Sequence, residues 1–434
     1  MTNLVAPRGF TQEAFQAFLD TRHEPAWLTE LRLESFSQFL SLPLPSTSDE
    51  EWRRTDIRLL RLDRYPLPHE ATSEPVVQTG LLTAGVELAG QLTNVNSQHA
   101  VNTLLPEVQQ QGVLFGSLER MAVDHEDLIR EHLFRAFPRT ADKFAALHAA
   151  CWSGGSLLYV PAGVKVELPF HLLSQMTEGQ SDFGHSLVIL EDGAEATLLA
   201  ETAGGAKNGL HCGGIELLVG PNAKLRYVNL QNWDRGVWHF AHQKALVDRD
   251  ARLQWTIGAL GARLAKVNQH AILSGAGAHV QVNGVMFTEE RQHQSYHTLQ
   301  HHQKPHGTSD LLYKCGLQDH SRIVWRGMIK VDTGAARTNG YQRNDNLILS
   351  HDARADSIPG LEIEHDDVIC THGSTTSRVD EEPIFYAQCR GLTRQEATRL
   401  IVTGFFQQVF DRITIESVRN ALANAIAQRV RQYL

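Results

Sequence analysis

The chain has 434 residues, with 40 Lys plus Arg against 49 Asp plus Glu and a formal net charge of −9. Its 42% apolar and 21% charged residues are ordinary globular composition, which excludes a disordered or collagen-like chain. An acidic balance without a dense Lys/Arg block argues against general nucleic-acid binding and against an acidic membrane surface. No apolar run approaches the roughly 18 residues of a membrane span, and Met1 to Phe15 lacks the apolar centre of a secretory signal. Five cysteines (Cys151, Cys212, Cys315, Cys370, Cys389) are odd in number and widely spread, which is not a disulfide framework. A soluble, cytoplasmic protein is expected, with 22 histidines as its unusual feature.

The first seventy residues read as helical. Thr11 can cap a helix carrying Phe15, Phe18 and Leu19, with Phe10 and Phe15 placed as a hydrophobic staple. A second helix opens near Pro25 with Trp27, Leu28, Leu31, Phe36 and Phe39 at helical spacing, and stops at Leu42 to Pro45 because proline cannot continue the ladder. Thr47 to Glu51 reads as another capped helix start, and Tyr65 to Pro75 as a loose linker.

From about Val76 the period changes. Val86 with Leu88, and Val113 to Phe115, read as short strands, interrupted by a helical stretch over about 123–151. After Gly155 alternating strands persist, separated by small turn residues. Gly193-Ala194, Asn222-Ala223, Asp250-Ala251 and Gly277-Ala278 each precede a strand, their alanines 29, 28 and 27 residues apart, with weaker copies at Gly334-Ala335 and Asp352-Ala353. Strand repeats of this length without intervening helices point to a β-solenoid, against a β-sandwich or jelly roll.

The C-terminus returns to helix. Thr393 with Glu396 forms a capping box, and Ala397, Leu400, Ile401 and Gly404 mark an apolar stripe. Val418, Leu422, Ile426, Val430 and Leu434 recur down a second helix. Such a pair is a lid over the solenoid end or a docking arm, and periodicity favours the lid. The organisation expected is a helical region at 1–70, a β core at 75–388 and a C-terminal helical region at 389–434.

The candidate chemistry is confined to two places. There is no Walker-type phosphate loop, C-x-x-C, H-E-x-x-H or G-x-S-x-G, so any nucleotide hydrolysis is left to a partner. His293, His297, His301, His302 and His306 form the densest polar cluster; imidazole suits Zn or Fe, whereas solvated or hydrogen-bonded histidines are the plainer reading. Cys370-Thr371-His372 places a soft sulfur and a borderline nitrogen on one face of a strand, a pairing suited to iron–sulfur chemistry, though a packed cysteine beside a turn histidine is the plainer reading.

Ser350 to Leu392, which contains Cys370-Thr371-His372-Gly373, resembles the signature of the SufB/SufD family, which assembles iron–sulfur clusters in the SUF system. The likeness continues through Tyr341 to Leu347, His293 to Lys314, Glu24-Pro25-Ala26-Trp27 and Glu50 to Thr55. Cys-x-His-Gly is the form of the SufD branch, whereas Thr375-Thr376-Ser377 is closer to the SufB form. The resemblance implies a right-handed parallel β-helix flanked by N- and C-terminal α-helical regions, with no catalytic residue of its own. It implies pairing with SufB through the ends of the two β-helices and binding of the ATPase SufC by the C-terminal helices. Thr393, Glu396, Leu400, Phe405 and Phe406 are the contacts expected for SufC. His372 and Cys370 then face a transient iron, sulfide or nascent cluster at the SufB interface, with no tightly held cofactor in the isolated chain. A SufB-like or homodimeric paralogue, and a metal-dependent enzyme using His293, His297 and His301, are the competing readings.

Overall fold

The computed structural model describes residues 9–68, 80–83, 85–136, 139–204 and 207–430. Two 10-stranded sheets face each other as the walls of a parallel β-solenoid of about eight turns. The first sheet stacks Phe170–Met176, Glu195–Gly204, Lys224–Trp233, Arg252–Ala259, His279–Thr288, Thr308–Leu317, Thr338–Ile348 and Val368–Arg378. The second stacks Ser156–Val160, His185–Leu190, Gly209–Val219, Val237–Val247, Leu264–Leu273, His293–His302, Arg322–Val331 and Arg354–Ile363. Gly90–Val95 extends the first sheet and pairs antiparallel with Gln98–Leu104, which ends that sheet at the N-terminal side.

The turn repeat is the mechanical basis of the coil. Gly193, Asn222, Asp250 and Gly277 all adopt positive φ, between 56° and 72°, at the corner leading from the second sheet to the first. Each backbone N–H donates to a carbonyl of the corner above, as Asn222 does to Arg249 and Asp250 to Ala276. The alanine that follows is fully buried at Ala194, Ala223, Ala251 and Ala278, because only a small side chain fits inside so tight a corner. The two weaker copies are different. At the same corner the next positive-φ residues are His306 and Arg337, not Gly334, and Asp352-Ala353 lies on the opposite corner, between Thr338–Ile348 and Arg354–Ile363.

Both sheets are parallel and need cover on their outer faces. Helices Gln12–Asp20, Ala26–Ser41 and Lys143–Cys151 cover the second sheet through an aromatic layer in which Phe15 stacks on Phe36, and Phe144 on Phe240, each at 3.8 Å. Thr11 caps the first helix by accepting from the Ala14 N–H at 3.2 Å, and Pro25 begins the second. Arg32, wholly buried, ties that helix down by donating to the carbonyls of Ala150 and Trp152 and pairing with Glu24 at 2.9 Å. The capped helix expected at Thr47 is only a short 3-10 turn, Glu50–Trp52, without a side-chain cap. Val86 and Leu88 precede the sheet, whose first strand opens at Gly90; residues 69–75 of the linker expected at Tyr65 to Pro75 lie outside the described residues.

Helices Arg394–Phe410 and Glu416–Arg429 pack Val402, Phe406, Val409, Phe410, Val418, Leu422 and Ile426 on Leu230, Val285, Phe287 and Leu312 of the first sheet. They therefore flank the solenoid; the expected lid over its end is not what they form. The helical region opens with Glu381–Cys389, ahead of the boundary expected at 389, and Leu434 lies outside the described residues. Among the described residues no helix is long and apolar enough to cross a membrane.

Candidate functional site

The last turn of the solenoid is uncovered. Val368–Arg378 ends the first sheet and Arg354–Ile363 ends the second, so each presents an edge that pairs with no strand among the described residues. Leu361, Ile363 and Ile369 are exposed around that rim, Ile369 by 68%. On the last strand Val368, Cys370, His372 and Ser374 align with the buried Thr338, Gly340, Gln342 and Asn344 of the strand below. That register puts them on the inner wall of a turn with nothing stacked above it. Ser374 reaches across to Ser357 on the facing sheet, with 2.8 Å between their hydroxyl oxygens.

Within that wall the two donors differ in setting. Cys370 is half-buried beside Val368, against Ile329, Val331 and Ala335, and desolvation raises its thiol above the ordinary cysteine value. His372 is exposed. Alternate residues on a strand lie about 7 Å apart, so thiol and imidazole can both reach an ion seated between them. Among the described residues no group of three or more His, Cys, Asp or Glu side chains converges as a metal site. Cys370 and His372 thus stand as a thiol and an imidazole on one face of an open edge. Cys151, Cys212 and Cys315 are buried, with burial pushing Cys151 and Cys315 up to about 12; these are packing thiols.

The histidine stretch has another use. His293, His297 and His301 share the outer face of one strand, but four residues of strand span about 13 Å, too far for a single ion. Each has its own partner: Thr55 for His293 at 3.3 Å, Glu51 for His297 at 3.1 Å, and Asp332 for His301 at 2.8 Å. Lys266 donates to His297 Nε2 at 2.8 Å while His297 Nδ1 donates to Glu51. The His297 hydrogen bond holds the Glu51 carboxyl down to about 2, and burial pushes Lys266 down to about 7. Arg326 pairs with Glu50 at 2.6 Å. The segment Glu50 to Thr55 is therefore clipped to the second sheet by the residues that the sequence offered as metal ligands. His302 faces inward and bonds Ser309 at 2.8 Å, and His306 is the turn residue already described.

A small internal chamber of about 50 Å³ lies near the N-terminal turns, lined in part by Asp182, His185, Glu201, His211, Gln231 and His239. His148 Nε2 and His185 Nδ1 are 2.9 Å apart, and His211 and His239 face each other at 3.2 Å. Burial pushes His148 and His211 well below the ordinary imidazole value and His239 to about 3, and pushes Asp182 up to about 6.

The C-terminal helices separate the expected contact residues. Thr393 and Glu396 bond to each other in the capping box, with 2.8 Å between Oγ1 and Oε2. Phe406 is fully buried against the first sheet, and Phe405 is partly buried below the Lys314 ammonium at 4.7 Å. Leu400 is 61% exposed, because the buried stripe runs through Ala397, Val402, Phe406 and Val409 and not along Leu400, Ile401 and Gly404. Phe385 and Tyr386, exposed by 66% and 61%, are apolar surface on the preceding helix that the sequence pattern did not single out.

The architecture is a two-walled β-solenoid with helices on both sides, open at one end beside a thiol and an imidazole. The family model described as "SUF system FeS cluster assembly, SufBD core domain" matches residues 172–405, and "SufBD protein N-terminal region" matches 13–172. The iron–sulfur cluster assembly protein SufB of Bacillus subtilis is 28% identical over 427 residues, covering 94% of this chain and 90% of its own. An iron–sulfur cluster assembly SufBD family protein of Staphylococcus saprophyticus is 26% identical over 424 residues, with the same coverage of each chain. The chain belongs to the SufBD family of the SUF iron–sulfur cluster assembly system.

Proposed function

We propose that this chain is the SufD-like subunit of a cytoplasmic SUF scaffold, a non-catalytic partner of a SufB subunit that builds nascent iron–sulfur clusters with it. The observation that carries this reading is the position of Cys370 and His372 on the inner wall of the last strand, whose outer edge pairs with no described strand. Unpaired N–H and C=O groups on two neighbouring edges template the addition of strands from another chain. A solenoid meeting this one end to end would cover the exposed Leu361, Ile363 and Ile369 and enclose the thiol and imidazole. Iron and sulfide are cargo in this reading, held between Cys370, His372 and donors of the partner, and no cofactor is resident. Free cysteines throughout the chain fit a reducing compartment.

The ATPase SufC supplies the hydrolysis that this chain has no phosphate loop to perform. It docks on the C-terminal helices, where Phe385, Tyr386 and Leu400 are exposed and available. Closure of two ATPase subunits would then move the SufB–SufD junction and open the donor pair to iron and sulfide. The likeness to SufB supports a second reading, in which the same edge pairs with another copy of this chain. Co-expression of the tagged chain with the SufB and SufC of its own source, followed by size-exclusion chromatography, separates the two. A complex containing all three chains is expected; a homodimer that excludes SufB would support the second reading, and a monomer would overturn both.

A further inference from the structure

The outer face of the first sheet carries a cationic trough far from the open end and not used by the assembly described above. Its ladder register places Glu195, Lys224, Arg252 and His279 side by side across four strands, with Arg226 one step along beside Lys224. Lys165 bonds to Glu195 from the preceding turn at 2.8 Å, and Lys224 shares the same carboxylate at 2.9 Å. Arg226 and Arg252 are exposed, and neither forms an ion pair with a described residue. Like charges on directly opposed strand positions repel and weaken a sheet. Burial lowers the His279 imidazole, Arg252 adds to that and Asp310 opposes it.

The trough is concave. Thr414, from the loop between the two long C-terminal helices, forms one wall, fixed by its hydroxyl to Gln254 Oε1 at 3.1 Å, while Gln254 donates to the Arg412 carbonyl at 3.0 Å. Its volume of about 530 Å³ falls in the range of small-molecule sites. No aromatic side chain lines it, so nothing there would stack on a nucleobase. Two guanidinium forks on adjacent strands, with the two Glu195-bonded ammonium groups and an imidazole around them, outnumber the carboxylates of Glu167 and Glu195 and match oxygens spread over more than one phosphate.

We infer that this trough is a binding site for a compact polyphosphate anion, with Arg226 and Arg252 as its clamps and Lys224 and His279 at its flanks. The site requires neither the SufB pairing nor the cluster chemistry, so its failure would leave that reading standing.

The test is isothermal titration calorimetry of the full chain with inorganic pyrophosphate at fixed ionic strength. Sulfate and ADP serve as comparison ligands, and the Arg226→Gln/Arg252→Gln variant as the altered site. An Arg263→Gln/Arg291→Gln variant makes the same change of net charge on a corner outside the trough. One-site binding of pyrophosphate is expected, weakened at least about tenfold by the first double variant and unchanged by the second. ADP should bind no tighter than pyrophosphate, and sulfate more weakly. Thermal unfolding should show the first variant no less stable than the wild type, because it removes repulsion. Absence of pyrophosphate binding, equal loss in both double variants, or sulfate binding as tightly as pyrophosphate would overturn the proposal. Tighter binding of ADP would overturn the assignment to a compact anion.

Discussion

Gly340 and Cys370 stand directly opposite each other on the last rung of the first sheet, and the thiol rests in the space that the glycine leaves. A Cβ at position 340 would lie 3.3 Å from the Cys370 sulfur and 3.1 Å from Ile329 Cγ2. The lower turn thus sets how far the thiol sinks between the walls. That depth decides whether Cys370 is a core filler or a ligand at the edge.

Gly340→Ala should therefore push the thiol outward. We expect a loss of about 1 kcal/mol from crowding and faster alkylation of Cys370, followed by mass spectrometry of its peptide so that the exposed Cys389 does not interfere. Unchanged alkylation would mean that the pocket beneath the thiol yields without moving it.

The two kinds of apolar residue on the C-terminal helices should separate cleanly. Phe406→Ala removes a buried ring from the contact with the first sheet and should cost about 3–5 kcal/mol, seen as an earlier unfolding transition in urea. Phe385→Asp with Leu400→Asp touches exposed positions, so the urea midpoint should hold while capture of SufC in a pull-down is lost. Normal SufC capture by the Asp variant would place the ATPase elsewhere.

Acid sensitivity follows from the internal chamber. In the folded chain burial delays protonation of His239 to about pH 3, whereas an unfolded histidine takes its proton near the ordinary 6.5. Across that window the unfolded state binds more protons, so stability rises with pH and is lost as pH falls below 6.5. Between pH 6.5 and 5 this amounts to about 2 kcal/mol for His239, with His148 and His211 acting in the same direction. Asp182, raised to about 6 by burial, works in the opposite sense as it gains a proton in the fold and offsets part of the loss. Urea titrations at pH 7 and pH 5 should show a lower midpoint at pH 5, and His239→Asn should shrink the difference. An undiminished difference would assign the acid sensitivity to other groups.

Much of this architecture was legible because it is periodic. The corner residues Asn222 and Asp250 announce themselves beside alanine, since a left-handed turn followed by a small buried residue is the local requirement of the coil. Thr393 and Glu396 were equally legible, being a purely local motif. The histidines were not, because spacing alone does not say what covers a face: Glu51 lies 246 positions from His297 along the chain, and only the fold brings them together. Leu400 failed for a related reason. The face of its helix that meets the sheet carries Val402, Phe406 and Val409, and Leu400 lies on another face. The donor pair Cys370 and His372 was readable as chemistry, whereas the openness of its turn depends on where stacking stops.

The most direct test of the central claim is cluster reconstitution on the complex of this chain with SufB and SufC, carrying His372→Ala here. Iron and acid-labile sulfide are measured anaerobically after ATP is added, beside the elution profile of the same sample. An intact three-protein complex that has lost most of its iron and sulfide is the expected result, with Cys370→Ser giving a weaker form of the same loss. Wild-type cluster content in the intact His372→Ala complex would contradict the assignment of this edge as the place where the cluster forms.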